Sequence, residues 1–482
     1  MDTYIGIDLG TSSVKALLLD ADGNILSEDS VSYPCHHPQK GYSEQDPIDW
    51  YEKTLLCLDG LLQDQDKKSV RALAVSGQMH GLVLLDKDDS VIRPAILWND
   101  SRSEEECRYL NEEIGRKRVS EDTGNIAFPG FTAPKILWVY RHEKKAFDRI
   151  FKIMLPKDYL IYRFSGVFAT DVSDASGMLL LDVRNRRYSE DMLDLCHIRK
   201  DMLPRLFESY EVVGTLCPEV SKRLGLRSSV KVVAGAGDNA GAAVGTGSVR
   251  EGDCNISLGT SGTIFMPMNR FAMDLKNALH SFLDATGKYH LMGCILSASS
   301  ARSFWLEGIL HSDDYDEDES MLMDSDVVFL PYLVGERSPH NDVDIRGAFI
   351  GLSIDTTRGQ MSKAVMEGVA FALKDCMNVA LEDGIRITSA TICGGGARSA
   401  SWKQIIADVL GIPLKTMATD QGPSFGSAIL AMVGDGRYVS IEEACLKLCK
   451  VKNVIVPDDG KKEYYERKYQ RFVKLYPALK GI

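Results

Sequence analysis

The sequence predicts an α/β protein built from two related domains, on three observations. At 482 residues the chain is too long for one ordinary hydrophobic core. The tetrapeptide Leu-Gly-Thr-Ser occurs at residues 9–12 and 258–261, each time between two apolar runs that are typical of strands. A third buried-strand pattern ends in small residues at residue 237, close to mid-chain. We therefore expect one domain over residues 1–247 and a second over residues 248–482.

Local patterns define the elements of the first half. Residues 4–31 predict a three-stranded meander with an Asp-Gly hairpin turn. Asp46, followed by proline, predicts the start of a helix over residues 47–62. A buried strand is expected over residues 70–75. Residues 128–177 mix aromatic residues with helix breakers, and we interpret them as an inserted region on the substrate side.

A capping box and an apolar periodicity predict two helices of the second half. Thr357 and Gln360 form a capping-box pattern at the start of a long amphipathic helix that Gly384 ends. Apolar residues at i, i+3, i+4, i+7 and i+8 predict another helix over residues 402–410. A short strand over residues 391–393 precedes that helix and leads into three glycines.

Composition restricts the classes of function. The net charge of −12 argues against a general nucleic-acid surface, which needs a basic field. No apolar stretch approaches the length of about 20 residues that a membrane-spanning helix needs. The N-terminus lacks the basic region of a signal peptide. Eleven cysteines without a Cys-x-x-Cys pair favour reduced thiols. We therefore expect a cytoplasmic protein with neither nucleic-acid nor membrane partners.

One carboxylate near mid-chain is a catalytic candidate. Residues 232–237 indicate the end of a buried strand, and the Ala/Gly-rich residues 240–243 indicate a helix start that lets other backbone approach closely. Asp238 lies between them, and open α/β sheets bind ligands beyond the carboxyl ends of their strands. We expect Asp238 to be the catalytic base; the alternative is a helix-capping role alone.

The two Leu-Gly-Thr-Ser turns offer backbone N–H groups and hydroxyls, the neutral donors that phosphate oxygens need. Each turn taken singly is also a plain hairpin, but the pair favours a phosphate site. Asp8 precedes the first turn on a strand that should be buried, where a carboxylate is costly unless it is paired or near a metal ion. Mg²⁺ accompanying a nucleotide is the natural partner. The alternative is an Asp8 carboxylate that accepts hydrogen bonds from the amides of its own turn.

The glycine run Gly394-Gly395-Gly396 allows two interpretations. A strand, Gly-x-Gly, a helix and a later acidic residue, Asp420, resemble part of a dinucleotide-binding pattern, which makes an NAD enzyme the main alternative enzyme class. Ser399, however, stands where that pattern needs its third glycine. A turn whose backbone lies flat against adenosine fits the two phosphate turns better.

Three polar or polarisable side chains, Gln78, Met79 and His80, follow a strand end within a glycine-flanked loop. A lone histidine is usually a structural polar residue, but the three together suggest recognition of hydroxyl groups. The nine histidines supply no plausible Ser-His-Asp or zinc ligand set, which leaves hydrolases with little support.

Seven segments carry a resemblance to a known family: residues 4–12, 76–81, 96–100, 155–160, 237–239, 257–262 and 394–399. The chain resembles the FGGY carbohydrate kinases of the actin/hexokinase/Hsp70 superfamily, and most closely their xylulokinase branch. The likeness covers nearly the whole chain. Gln-Met-His-Gly at residues 78–81 is the part that is specific to that branch.

The resemblance implies two ribonuclease-H-like domains of the actin/hexokinase/Hsp70 type with an interdomain cleft. The sugar would bind mainly to the first domain and ATP mainly to the second. The implied reaction is the ATP-dependent phosphorylation of D-xylulose to D-xylulose 5-phosphate in xylose catabolism, with Mg²⁺ as the metal.

The resemblance also implies residue roles. Asp238 would take the proton from the 5-hydroxyl group of the sugar, and Asp8 would lie near Mg²⁺ and the phosphates. The sugar-binding residues would be Met79, His80, Asn239 and Trp98. The residues that hold ATP would be Thr11, Ser12, Gly259, Thr260, Ser261, Gly395 and Gly396.

Two kinds of alternative stay open. Within kinases, the substrate could be another ketose, a deoxy sugar or a pentitol. From another class, an actin/Hsp70-like ATPase would share the nucleotide turns but phosphorylate no sugar; Gln78-Met79-His80 and Asp238-Asn239 argue against it, because such ATPases lack a sugar pocket. The expected partners are a small sugar and ATP, and a homodimer is the assembly we allow for.

Overall fold

The structure is a computed structural model that describes residues 2–274, 276–419 and 421–482. The chain forms two compact units. Unit 1 comprises Met1–Val249, Ser281–Tyr289 and Gln421–Cys449, and unit 2 comprises Arg250–His280, His290–Asp420 and Lys450–Ile482. Unit 1 thus includes two segments that come later in the chain than the domain boundary expected after residue 247. That boundary stays a prediction.

The chain alternates strands and helices, as the α/β prediction requires. The strands are β1 Thr3–Leu9, β2 Ser13–Asp20, β3 Ile25–Ser32, β4 Glu44–Gln45, β5 Val70–Gly77, β6 Val83–Leu85, β7 Ala95–Ile96, β8 Lys152–Met154, β9 Ala169–Asp171, β10 Leu181–Asp182, β11 Arg187–Tyr188, β12 Arg205–Phe207, β13 Val212–Thr215, β14 Lys231–Gly237, β15 Asn255–Leu258, β16 Gly262–Met268, β17 His280–Leu283, β18 Tyr289–Ile295, β19 Val328–Leu330, β20 Ala348–Ile350, β21 Ala390–Cys393, β22 Leu414–Met417 and β23 Val451–Ile455. The α-helices are α1 Pro47–Leu61, α2 Glu104–Arg108, α3 Arg116–Thr123, α4 Thr132–His142, α5 Lys144–Phe147, α6 Pro156–Ser165, α7 Val172–Ala175, α8 Glu190–Leu195, α9 Pro218–Leu224, α10 Asp238–Gly245, α11 Ser299–Ser303, α12 Tyr315–Ser320, α13 Arg358–Glu382, α14 Ala400–Leu410, α15 Gly422–Asp435, α16 Ile441–Leu448, α17 Lys462–Phe472 and α18 Leu475–Leu479.

The main sheet of unit 1 has the strand order β13-β14-β5-β1-β2-β3. Strands β1, β2 and β3 pair antiparallel, which confirms the predicted meander. The three neighbours β14, β5 and β1 run parallel to one another. The carboxyl ends of these three strands therefore meet at one edge of the sheet, where α/β proteins place their ligands.

Helix α1 has the predicted N-terminus. The Asp46 carboxylate accepts a hydrogen bond from Ile48 N, and Pro47 occupies the first helical position, where its missing N–H costs nothing. Helix α1 then presents Trp50, Leu58 and Leu61 to the apolar core that fills one face of the sheet.

Close backbone contact between α10 and α15, both in unit 1, depends on glycine. A Cβ atom on Gly426 would lie 1.9 Å from the carbonyl oxygen of Gly241, and one on Gly245 would lie 2.1 Å from that of Gly422. Any side chain at these glycines would separate the two helices. This confirms that the Ala/Gly run after Asp238 admits a close neighbour.

Unit 2 contains a sheet with the consecutive strands β18-β16-β15-β21-β22-β23. Strands β15 and β16 are antiparallel around the second Leu-Gly-Thr-Ser turn, and β15 lies parallel to β21. Helix α13 has the predicted capping box: Thr357 Oγ1 accepts from Gln360 N, and Gln360 Oε1 accepts from Thr357 N. Helix α14 ends at Gly411, which has a φ of +69°.

In the ranges that the structure describes, no helix combines the length and the apolarity that crossing a membrane requires.

Candidate functional site

The carboxyl ends of β1, β5 and β14 bring most of the predicted sugar-site residues together in unit 1. Asp8 pairs in register with Ser76 of β5, and Gly77 pairs with Gly237 of β14. The chain continues from β5 into Met79 and His80, and from β14 into Asp238 and Asn239 at the start of α10. Parallel pairing thus places these polar side chains at one sheet edge, although they are far apart in sequence.

Asp238 is the first residue of α10, where exposed N–H groups favour a negative charge. Its Oδ1 accepts hydrogen bonds from Asn239 N at 2.7 Å and from Asn239 Nδ2 at 2.9 Å. Burial raises the pKa of Asp238 to about 6, although these two hydrogen bonds oppose the rise. Asp238 is therefore a stronger base than an ordinary aspartate while remaining mostly ionised at neutral pH.

The Asp8 carboxylate, near the end of a central strand, accepts only a weak hydrogen bond from the described residues. Ser76 Oγ lies 3.5 Å from Asp8 Oδ1, which is the contact that the described residues give this group. Burial and the negative charge of Asp238 raise the pKa of Asp8 to about 7. The alternative expected amides of the first turn to donate hydrogen bonds to the Asp8 carboxylate. The described residues show no such hydrogen bond.

Met79 packs beneath the start of α10. A Cβ on Gly237 would lie 2.9 Å from Met79 Sδ, so the close approach of β14 needs a glycine there. The Sδ atom is also 4.0 Å from Asn239 Nδ2. Met79 and Asn239, two predicted sugar ligands, are thus in contact.

His80 has a φ of +68°, an uncommon backbone conformation for a residue with a side chain. Its Nδ1 lies 2.7 Å from the carbonyl oxygen of Gly177, and its ring stacks on Phe131 with centroids 4.7 Å apart. Residues of the predicted substrate-side region, 128–177, therefore hold the imidazole.

Two residues that the sequence analysis missed hold the backbone of His80. Thr132 Oγ1 and Lys135 Nζ both donate to the carbonyl oxygen of His80, at 3.1 and 2.9 Å. Lys135 is buried, and burial lowers its pKa to about 7. No local pattern marks these residues, because their target lies more than fifty positions earlier in the chain.

The first Leu-Gly-Thr-Ser turn contacts Trp98. The indole Nε1 of Trp98 donates to Thr11 Oγ1 at 3.0 Å, while Ser12 is exposed. Gln45, also missed, donates from Nε2 to the carbonyl oxygen of Thr11 at 2.6 Å and accepts from Gln78 Nε2 at 3.0 Å. Trp98, predicted to bind sugar, is 38% exposed and is tied to the turn predicted to bind phosphate.

Unit 2 contains a cavity of about 630 Å³ beside the second turn. Four of the five residues predicted to hold ATP in this unit line its wall: Gly259, Thr260, Gly395 and Gly396. The fifth, Ser261, belongs to the same turn but is not among the described residues that line the cavity. The volume lies within the about 300–1,000 Å³ range of small-molecule sites.

The neighbouring glycines Gly395 and Gly396 differ in their surroundings. A Cβ on Gly396 would lie 2.9 Å from both Leu258 Cβ and Trp402 Cζ3, whereas one on Gly395 would meet no atom within 4 Å. Gly396 thus serves internal packing. Gly395 leaves open space where a flat ligand can lie against the backbone.

Arg302 is a cavity residue that the sequence analysis missed. Its Nη2 lies 2.9 Å from Glu319 Oε1, and its guanidinium group stands 4.7 Å from the ring centroid of Tyr315. The negative face of the Tyr315 ring attracts the guanidinium cation, so Arg302 is held at this wall by both Tyr315 and Glu319.

The structure also bears on the dinucleotide interpretation of the glycine run. Ser399 caps α14, because its hydroxyl accepts a hydrogen bond from Trp402 N at 3.0 Å. That is the role of a polar cap rather than of a close-packed third glycine. Asp420, the acidic residue of that interpretation, lies outside the described residues.

Comparison with known proteins identifies the family. A profile of the N-terminal domain of the FGGY family of carbohydrate kinases matches residues 3–245, and a profile of the C-terminal domain matches residues 254–434. The chain is 42% identical to a xylulose kinase of Escherichia coli (strain K12), with 99% of each chain covered. It is 40% identical to a xylulose kinase of Klebsiella pneumoniae, again over 99% of each.

A solved structure described as a "xyloylose kinase" from Brucella ovis agrees with these relatives. It matches the chain with a TM-score of 0.95 and 39% identity, and the match covers 99% of both chains. The two domain profiles together account for most of the sequence. The chain belongs to the FGGY family of carbohydrate kinases.

Proposed function

We propose that this chain transfers the γ-phosphate of ATP to the 5-hydroxyl group of D-xylulose, forming D-xylulose 5-phosphate and ADP in xylose catabolism. The relatives named xylulose kinase support this substrate, since they match over nearly the full length. One structural observation carries the proposal. The ends of three parallel strands join a base candidate, Asp238, to the hydroxyl-recognising residues Met79, His80 and Asn239.

The sugar binds against the loop after β5 and the first turn of α10. Because His80 Nδ1 faces a carbonyl oxygen, that nitrogen carries the proton in the neutral ring, and Nε2 is an acceptor for a sugar hydroxyl. Asn239 contributes an amide, and Met79 an apolar, polarisable wall. Trp98 covers the sugar from the side of the first turn.

Asp238 acts as the general base. Phosphoryl transfer passes through a loose transition state, so the attacking hydroxyl needs little deprotonation before it reacts. Asp238 therefore orients the 5-hydroxyl group first and accepts its proton late. Its pKa of about 6 makes that late transfer more favourable than it would be for an ordinary aspartate.

Asp8 is the residue that would hold Mg²⁺. Its pKa of about 7 reports a carboxylate whose charge the surrounding residues leave poorly compensated, which suits a divalent cation. Among the described residues, no group of three or more His, Cys, Asp or Glu side chains could hold a metal ion. A single carboxylate is compatible with Mg²⁺, which usually binds through one or two carboxylates together with substrate phosphates and waters. When bound, the ion neutralises the charge that develops on the phosphate oxygens.

ATP binds mainly through unit 2. The adenosine lies in the cavity of about 630 Å³ against Gly395 and Gly396. The phosphate donors that we propose in unit 2 are Gly259, Thr260 and Ser261 of the second Leu-Gly-Thr-Ser turn. Those that we propose in unit 1 are Thr11 and Ser12 of the first turn. The proposal also includes a cytoplasmic location and a homodimer. For a homodimer, sedimentation equilibrium would give twice the chain mass of 53.3 kDa.

The substrate is tested by ADP release over a panel of ketopentoses, hexuloses and pentitols, each with MgATP. We expect D-xylulose to give the highest kcat/KM and mass spectrometry to identify a pentulose monophosphate as the product. A higher kcat/KM with another ketose or a pentitol would replace D-xylulose as the substrate. ADP release that no sugar stimulates would reject the proposed reaction.

A further inference from the structure

We infer that Ser173 is a positioning residue for Asp238, held in place by the buried pair Asp171 and Lys157. All four residues belong to unit 1. The inference rests on the proposed role of Asp238 as the base, and it concerns how the start of α10 is fixed rather than which group accepts the proton.

The contact that carries the inference is one hydrogen bond to the backbone before Asp238. The N–H of Gly237 donates to Ser173 Oγ at 3.1 Å. Gly237 is the N-cap residue of α10, and Asp238 follows it directly as the first helical residue. Because Ser173 holds this amide, it fixes the point from which the Asp238 side chain departs.

Asp171 fixes the direction of that hydrogen bond. Its Oδ2 accepts from Ser173 Oγ at 2.5 Å and from Ser173 N at 2.8 Å. A hydroxyl group has a single proton, so once it is donated to Asp171, the Ser173 oxygen can only accept. The oxygen facing Gly237 is therefore an obligatory acceptor.

Lys157 forms a buried ion pair with Asp171. The Lys157 ammonium group is fully buried and lies 2.9 Å from Asp171 Oδ1 and 2.7 Å from Asp158 Oδ1. Burial opposes the charge, but these carboxylates and that of Asp174 outweigh it and raise the pKa of Lys157 above its ordinary value. Buried ion clusters are costly and seldom explained by stability alone. Here the cluster ends at the backbone of the proposed base.

A matched pair of serines separates positioning from simple packing. Ser209 Oγ donates to the same Asp171 oxygen at 2.7 Å, and both serines are buried. Each Ser→Ala variant removes one hydrogen bond to Asp171, but only Ser173→Ala removes the acceptor of the Gly237 N–H. The backbone carbonyl oxygen of Ser209, which accepts from Gly235 N, stays in place in Ser209→Ala.

The experiment measures kcat, the KM values for D-xylulose and ATP, and urea unfolding for both variants. We expect Ser173→Ala to lose more stability than Ser209→Ala, because it also leaves the buried Gly237 N–H without its acceptor. Ser173→Ala should lower kcat about tenfold, since a small misplacement of a catalytic group costs up to about a hundredfold, while the KM for ATP stays unchanged. Ser209→Ala should keep kcat within about twofold, because its loss leaves the Gly237 amide held. Hydrogen exchange of the peptide covering residues 232–245 should be faster only in Ser173→Ala.

Equal kcat losses in the two variants, or a wild-type kcat in Ser173→Ala, would overturn the inference. An Asp238→Asn variant measured alongside tests the underlying role separately. If Asp238→Asn retains activity, the proposed base is wrong. If Asp238→Asn is inactive and the two serine variants behave alike, only the positioning inference fails.

Discussion

The two Leu-Gly-Thr-Ser turns have the same sequence and the same place between antiparallel strands, yet their surroundings differ. Strands β1 and β2 flank the first turn, and β15 and β16 flank the second. The first turn follows Asp8, a carboxylate whose pKa rises to about 7. The second follows Ser257, a neutral residue. The tetrapeptide thus determines the turn, and the residue before it determines the charge.

The supports of the two turns differ as well. Tyr33 and Gln45 hold the first: Gln45 Nε2 donates to the carbonyl oxygen of Thr11, the Tyr33 hydroxyl donates to that of Gly10, and the Tyr33 N–H donates to that of Ser12. A single segment, residues 298–300, holds the second. The amides of Ala298 and Ser299 donate to the carbonyl oxygens of Thr260 and Gly259 at 3.0 and 2.9 Å, and the Ser300 hydroxyl donates to that of Thr260 at 2.8 Å. In both turns the carbonyl groups are engaged. The backbone N–H groups and hydroxyls are the groups suited to phosphate.

Asp8→Ser places a serine before the first turn, as Ser257 stands before the second. Of the substitutions that test the difference between the turns, we expect this one to have the largest effect. Removing the carboxylate should raise the Mg²⁺ concentration for half-maximal rate, or lower the rate, by about 10–100-fold. The measurement is the rate of D-xylulose phosphorylation against Mg²⁺ concentration. The matched change Ser257→Ala should shift this curve little. Equal shifts in both variants would contradict the assigned difference between the turns.

Asp238→Asn should stabilise the protein above about pH 7. Burial raises the pKa of Asp238 to about 6, so the unfolded chain releases this proton first, and the wild type loses stability as pH rises from about 4 to 6. Since asparagine carries no charge, the variant should gain on the order of 2 kcal/mol in the free energy of unfolding at pH 8 and nothing at pH 4.

Urea unfolding at the two pH values measures this gain. The Asp88→Asn variant is the control and should unfold at pH 8 as the wild type does, because Asp88 is exposed. An Asp238→Asn variant that is no more stable than the wild type at pH 8 would mean that Asp238 is well solvated when ionised.

Gly395→Ala and Gly396→Ala test the glycine wall of the cavity next to the second turn. Of the substitutions that test the two turns, we expect these to change activity least. The Cβ of Gly395→Ala meets open space, so stability should not change, while the KM for ATP should rise about fivefold, an overpacking cost near 1 kcal/mol. Gly396→Ala should lower the melting temperature, because its Cβ would lie 2.9 Å from two packed side-chain atoms. A wild-type KM for ATP in Gly395→Ala would remove that backbone from the nucleotide site.

Features set by short-range patterns could be predicted from the sequence. Proline and Asp46 at the start of α1, the capping box of α13 and the glycine after α14 depend on neighbours within a few positions. The strand ends that carry Asp8, His80 and Asp238 were also predictable, since each follows an apolar run with small polar residues.

Features set by distant contacts could not be predicted. The lysines Lys135 and Lys157 look like ordinary helix residues, and only the fold shows that one holds the His80 carbonyl group and the other neutralises buried aspartates. Arg302 likewise joins the cavity through contacts with Tyr315 and Glu319 that no spacing encodes. The packing of α15 against α10 depends on glycines nearly two hundred positions apart.

The proposed role of Asp238 as the acceptor of the sugar's proton is tested most directly by D-xylulose-dependent ADP release by Asp238→Ala. We expect turnover to fall roughly a hundredfold or more, in line with the about 10²–10⁴-fold contribution of a general base. Asp284→Asn is the control, because burial also raises the pKa of Asp284 to about 6, in a turn closed by Thr286 and Lys288. That variant should turn over at close to the wild-type rate. Near-wild-type turnover of Asp238→Ala with D-xylulose would contradict the role of Asp238 as the base.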